Sequence, residues 1–144
     1  MIENDTICLL RECDAGVQMG ISSIKDVLDY SKSEQVRKLL YDCKERHDHL
    51  NNEIQQLLEQ YHDDGKGPNP IAKGMSWVKT TAKLSIDSSD ATIADLMVDG
   101  CDMGVKSLSR YLNQYAAADE QSKDIAKRLI QLEEQLSKDL REYL

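Results

Sequence analysis

The side chains that could do chemistry here are four cysteines, Cys8, Cys13, Cys43 and Cys101, and three histidines, His47, His49 and His62. His47 follows Cys43 by four residues, which on a helix puts a thiol and an imidazole one turn apart on one face. Counting turns from the ends of the helical segments places His47 and Cys101 near mid-length, with Cys13 about a turn away. Such a Cys-His-Cys set with an Asp or Glu nearby has the ligand types of a zinc site, and iron is the redox-active alternative. The spaced signatures of zinc sites are missing, however. Cysteine chemistry would need a lowered thiol pKa, which no pattern of residues shows. The other reading makes His47 a core histidine bonded to a serine, tyrosine or water, with Cys13, Cys43 and Cys101 as small apolar fillers. Burial of an unpaired imidazole lowers its pKa, whereas a carboxylate within reach raises it. The lowered value is the expectation. No catalytic set is complete, so the expectation is a non-enzymatic protein without cofactor, zinc or iron being the alternative.

These residues lie on segments patterned as helices. Residues 21–64 and 105–144 contain neither Gly nor Pro, so helices can run through both. The first helix should start near Asn4 or Asp5 and face inward with Thr6, Leu10, Cys13, Val17, Gly20, Ile24 and Val27. A break falls at Tyr30-Ser31-Lys32-Ser33, where Ser31 and Glu34 have capping-box spacing. The second helix carries Val36, Leu40, Cys43, His47, Leu50, Ile54, Leu57 and Tyr61. The Gly- and Pro-bearing stretch from Gly65 to Pro70 is a loop, and a short helix follows over about 71–85. The third long helix spans about 91–115, with Ile93, Met97, Gly100, Gly104, Leu108, Tyr111 and Tyr115 inward. The fourth carries Ile125, Leu129, Leu132, Leu136, Leu140 and Tyr143. Glu12, Asp14, Asp99 and Asp102 flank these seams and should face water.

A repeat relates the two halves. Gly16-Val17-Gln18-Met19-Gly20-Ile21-Ser22-Ser23-Ile24 overlays Gly100-Cys101-Asp102-Met103-Gly104-Val105-Lys106-Ser107-Leu108. The chain therefore reads as two duplicated helical hairpins, about 4–61 and 91–144, in a single domain over 1–144 joined by a crossover at 62–90. A helical glycine costs about 1 kcal/mol relative to alanine, so Gly16, Gly20, Gly100 and Gly104 need a packing reason. Either neighbouring helices sit close, or the glycines make room for a bulky side chain such as His47 or Tyr111.

Two hairpins with a long crossover resemble the ferritin-like four-helix bundles. Within that group the chain is similar to a family of small bacterial proteins of unknown function. The resemblance rests on the paired Cys13-Asp14 and Met19-Gly20, Cys101-Asp102 and Met103-Gly104, the Gly-Pro loop, and the crossover Ala72-Lys73-Gly74-Met75-Ser76-Trp77-Val78-Lys79. It implies an all-α ferritin-like bundle with a short fifth helix in the crossover, and a bacterial cytoplasmic setting. A ferritin-type di-iron site needs two Glu-x-x-His motifs, and two are not present: only Glu59-Gln60-Tyr61-His62, at the end of the second helix, has the spacing.

With 18 Lys and Arg against 26 Asp and Glu, the net charge of −8 argues against nucleic acid or anionic membrane as partner. The opening Met1-Ile2-Glu3-Asn4-Asp5 has no basic or apolar run, so the cytoplasm is expected, with reduced thiols. Met75, Trp77 and Leu84 on the crossover are more apolar surface than one bundle covers. They are candidates for an interface between copies of the chain.

Overall fold

The structure is a computed structural model and describes residues 2–65 and 84–144. Among these residues it contains four long helices and no strand: α1 (Ile2–Leu28), α2 (Glu34–Gln60), α3 (Asp90–Gln114) and α4 (Glu120–Leu140), with a 3-10 turn over Arg141–Tyr143. The expected helix over about 71–85 lies mostly outside the described residues, and so do Met75 and Trp77. Leu84–Ile86 are helical.

Each helix start is fixed by a short polar side chain that accepts a free backbone N–H. Ser33 accepts from Val36, Ser89 from Thr92, and Asp119 from Ser122 at 2.8 Å. The cap of α2 is thus Ser33 and not Ser31, whose hydroxyl is buried with no hydrogen-bond partner among the described residues. The Arg37 guanidinium reaches back to the carbonyls of Leu28 and Ser31 and closes the end of α1.

The apolar core forms two clusters, and their membership sets the helix directions. One cluster gathers Leu9, Leu10, Val17, Leu58, Leu108, Ile125 and Leu129. These come from the N-terminal parts of α1 and α4 and the C-terminal parts of α2 and α3. The other gathers Ile24, Val27, Val36, Leu40, Ile93, Leu136 and Leu140 from the opposite parts. So α1 and α4 run one way and α2 and α3 the other. Helix α1 packs on α2 and α3, helix α4 packs on the same two, and α1 also touches α4 across the bundle. The first end is tied by hydrogen bonds from Asp119 N to Thr6 Oγ1 at 2.8 Å and from Ala117 N to Asp5 Oδ2 at 3.0 Å.

Three expectations are corrected here. Leu84 is buried in the second cluster, so it is core and not interface. Asp14 is also buried, where Gln55 donates to it at 2.7 Å. In α3 the inward position after Met97 is Cys101 and not Gly100, which is exposed. A glycine has no side chain to mark a face, so the alternation of steps of three and four could be laid through either residue.

Candidate functional site

Between the two apolar clusters lies one polar layer, and His47 is its centre. The ring is only 1 % exposed. Its Nδ1 lies 2.8 Å from the carbonyl oxygen of Cys43, one turn earlier on α2, and 3.5 Å from the Cys43 thiol. Its Nε2 lies 3.0 Å from Oε1 of Glu133 on α4. The Cys43 carbonyl only accepts, so Nδ1 donates to it; where the Glu133 carboxyl is ionised Nε2 donates as well, and the ring is then an imidazolium.

The electrostatics agree with the hydrogen bonds. Burial on its own pushes the His47 pKa down, but hydrogen bonding to Cys43 and to Glu133 outweighs it, and the pKa is pushed up to about 10. This corrects the expected lowering: the carboxylate that reverses the sign is Glu133. On α3 the Cys101 thiol is buried close to Glu133. Burial, followed by the Glu133 charge, holds the thiol protonated far above the usual range. Cys13 lies apart from this layer, among the leucines of the first cluster. Burial, reinforced by the charges of Glu12 and Asp14, pushes its thiol up to about 12. The structure thus brings His47, Cys43 and Cys101 together and leaves Cys13 out.

Two of the four repeat glycines complete the layer. A Cβ built on Gly20 would stand 2.8 Å from both Cδ2 and Nε2 of His47 and 3.4 Å from Glu133 Oε1. Gly20 on α1 therefore makes room for the imidazole. The three atoms nearest a Cβ on Gly104 of α3 all belong to Glu133, at 3.6 to 3.8 Å. Gly16 lies in ordinary contact with Leu129 and Leu108, and a Cβ at Gly100 would meet nothing within 4 Å. The close-packing expectation therefore fails at Gly100. All four helices contribute to the layer: Gly20, His47 with Cys43, Gly104 with Cys101, and Glu133.

Glu133 is the member that the sequence analysis missed. The seam that the sequence predicts for α4 runs through Leu132, which is half-buried. The signal that would have found it is the match between helices: Cys43-His47-Leu50-Ile54 has the same steps as Leu129-Glu133-Leu136-Leu140.

The arrangement suits a structural ion pair. Among the described residues, no group of three or more His, Cys, Asp and Glu is placed to hold a metal ion. An open groove of about 390 Å³ between α2 and α4 presents Arg46, His49, Glu53, Arg128, Gln131 and Gln135. Its Arg128 is already committed to Glu53 at 2.8 Å and to Asp124 at 3.0 Å. No described helix is long and apolar enough to cross a membrane. No family model matches the chain, and the searches of curated proteins and of solved structures return no match either.

Proposed function

We propose that this chain is a ferritin-like bundle of two duplicated hairpins that works by associating with further copies of itself and not by catalysis. The ferritin-like reading is supported by the helix directions. Helix α2 ends at one end of the bundle and α3 starts at the other, so the connection over 61–89 joins opposite ends, as one long crossover does in those folds. The observation that carries the non-catalytic reading is the state of His47. Both ring nitrogens are spent as donors, which leaves no lone pair to take a proton or bind a metal. Self-association has outward apolar side chains available in Tyr41, Ile86, Met103 and Leu144. A reducing cytoplasm, in a bacterium, is the setting we propose for four free thiols. Light scattering at high micromolar concentration tests the reading. A dimer or larger species is expected, and a monomer under those conditions overturns it.

A second reading is zinc or iron bound in the bundle core, with metal replacing the proton on His47 Nε2; it draws on the closeness of His47 to Cys43 and Glu133, and the ligands would have to shift to close on an ion, since the described residues as placed form no three-ligand group. Elemental analysis of protein purified without chelator decides between the two readings. Metal near one equivalent per chain establishes the second, and a trace amount leaves the first.

A further inference from the structure

His47 and Glu133 occupy the same place in two like hairpins. Each hairpin has a Gly-x-x-Met-Gly helix followed by a partner helix, and the second glycine of each motif faces a polar residue on that partner: Gly20 faces His47, and Gly104 faces Glu133. His47 and Glu133 are 86 residues apart. The apolar positions around them keep the same offset: Leu40 with Ala126, Cys43 with Leu129, Leu50 with Leu136, and Ile54 with Leu140. All eight are buried. Along this seam apolar residues stand at equivalent positions of both hairpins, so little in it distinguishes one hairpin from the other. The His47–Glu133 layer differs, because there one hairpin presents a base and the other an acid.

We propose that the His47–Glu133 pair is a recognition device: it makes the first hairpin pair with the second and rejects pairing of like hairpins from two copies of the chain. In the native fold the imidazolium meets a carboxylate at 3.0 Å. If two first hairpins associated, the same layer would place His47 against His47. Two second hairpins would place Glu133 against Glu133. Either arrangement buries like groups without a compensating partner, which disfavours the wrong assembly more than it favours the right one. The inference uses the likeness of the hairpins and stands whether or not the folded protein self-associates through its outer surface.

The test uses the full chain. Equal amounts of ¹⁴N- and ¹⁵N-labelled protein are unfolded, mixed, refolded and cross-linked through lysine, and the links are read by mass spectrometry. Wild type is expected to give no more interchain links between first hairpins, which carry Lys25, Lys32, Lys38 and Lys44, than a control in which the two labelled proteins are mixed already folded. The double variant His47→Leu/Glu133→Leu keeps a buried layer but loses its polarity, and should give at least a several-fold excess of such links. A link pattern identical to wild type overturns the proposal. Should the double variant not fold, the exchange His47→Glu/Glu133→His carries the test. It should refold with the wild-type pattern and melt above both single variants, and an exchange no better than either single variant overturns the proposal.

Discussion

Alanine substitution at the four repeat glycines should give effects of opposite sign, and the contrast is worked from single distances. Each substitution replaces the poorest ordinary helix former with the best, a gain of about 1 kcal/mol. At Gly100 nothing lies within 4 Å of the new methyl, and at Gly104 the nearest atom is 3.6 Å away. Both should therefore keep most of the gain. At Gly20 the methyl would stand 2.8 Å from two ring atoms of His47. That ring is held at both nitrogens, so it can retreat only by breaking the bond to Glu133. Overpacking of this kind costs about 1–3 kcal/mol, and a lost charge-assisted hydrogen bond costs a similar amount. The ring does one or the other, so after the helix gain of about 1 kcal/mol the net expectation is a loss of up to about 2 kcal/mol for Gly20→Ala and a gain of about 0.5–1 kcal/mol for Gly104→Ala. In a chain of this size each kcal/mol moves the melting temperature by roughly 3 °C. Calorimetry and urea denaturation read both quantities. In a His47→Ala background the ring is gone, and Gly20→Ala should turn neutral or stabilising. If Gly20→Ala stabilised the wild-type protein as much as Gly104→Ala, the ring would not be fixed as described, and the account of the layer would fail.

The remaining expectations concern the same layer and the thiols. The folded pKa of His47 lies above its unfolded value of 6.5, so its stabilisation is complete below pH 6.5 and is lost as the pH rises toward about 10. The slope should approach about 1.4 kcal/mol per pH unit, and a stability that is flat from pH 7 to 9.5 would contradict it. Glu133→Leu strands a buried imidazolium and should cost about 3–5 kcal/mol, whereas Glu133→Gln keeps an acceptor and should cost clearly less. NMR titration of the His47 ring should show its pKa falling in both variants. With a thiol reagent at pH 8 the half-buried Cys8 should react first. Cys13 and Cys101 should be labelled only at the rate of unfolding.

The residues on view in the sequence were those whose side chains mark a face. Val36, Leu40, Cys43, His47, Leu50 and Ile54 hold a regular alternation and are all buried, so α2 could be read directly. Helix α3 could not, because Gly100 and Cys101 both fit the same alternation and glycine carries no polarity to decide between them. Glu133 was hidden for the opposite reason: an acidic residue beside Leu132 reads as a solvated position until its partner across the bundle is known. The histidine was legible as an oddity, but the sign of its pKa shift was not, because that sign depends on a residue 86 positions away. Asp14 followed the same logic, since its burial is compensated by Gln55 from the neighbouring helix.

The polar layer also sets where the bundle can open. Each apolar cluster draws on all four helices and ends at the plane of Gly20, His47, Gly104 and Glu133. An opening that enters from one end exposes greasy surface until it reaches that plane. There it meets charged groups that regain water at little cost. The plane is therefore a natural stopping point, with one half of the bundle loosened and the other intact. Amide hydrogen exchange should accordingly divide every helix into two blocks of protection, with the boundary at the mid-length residues and not at the helix ends.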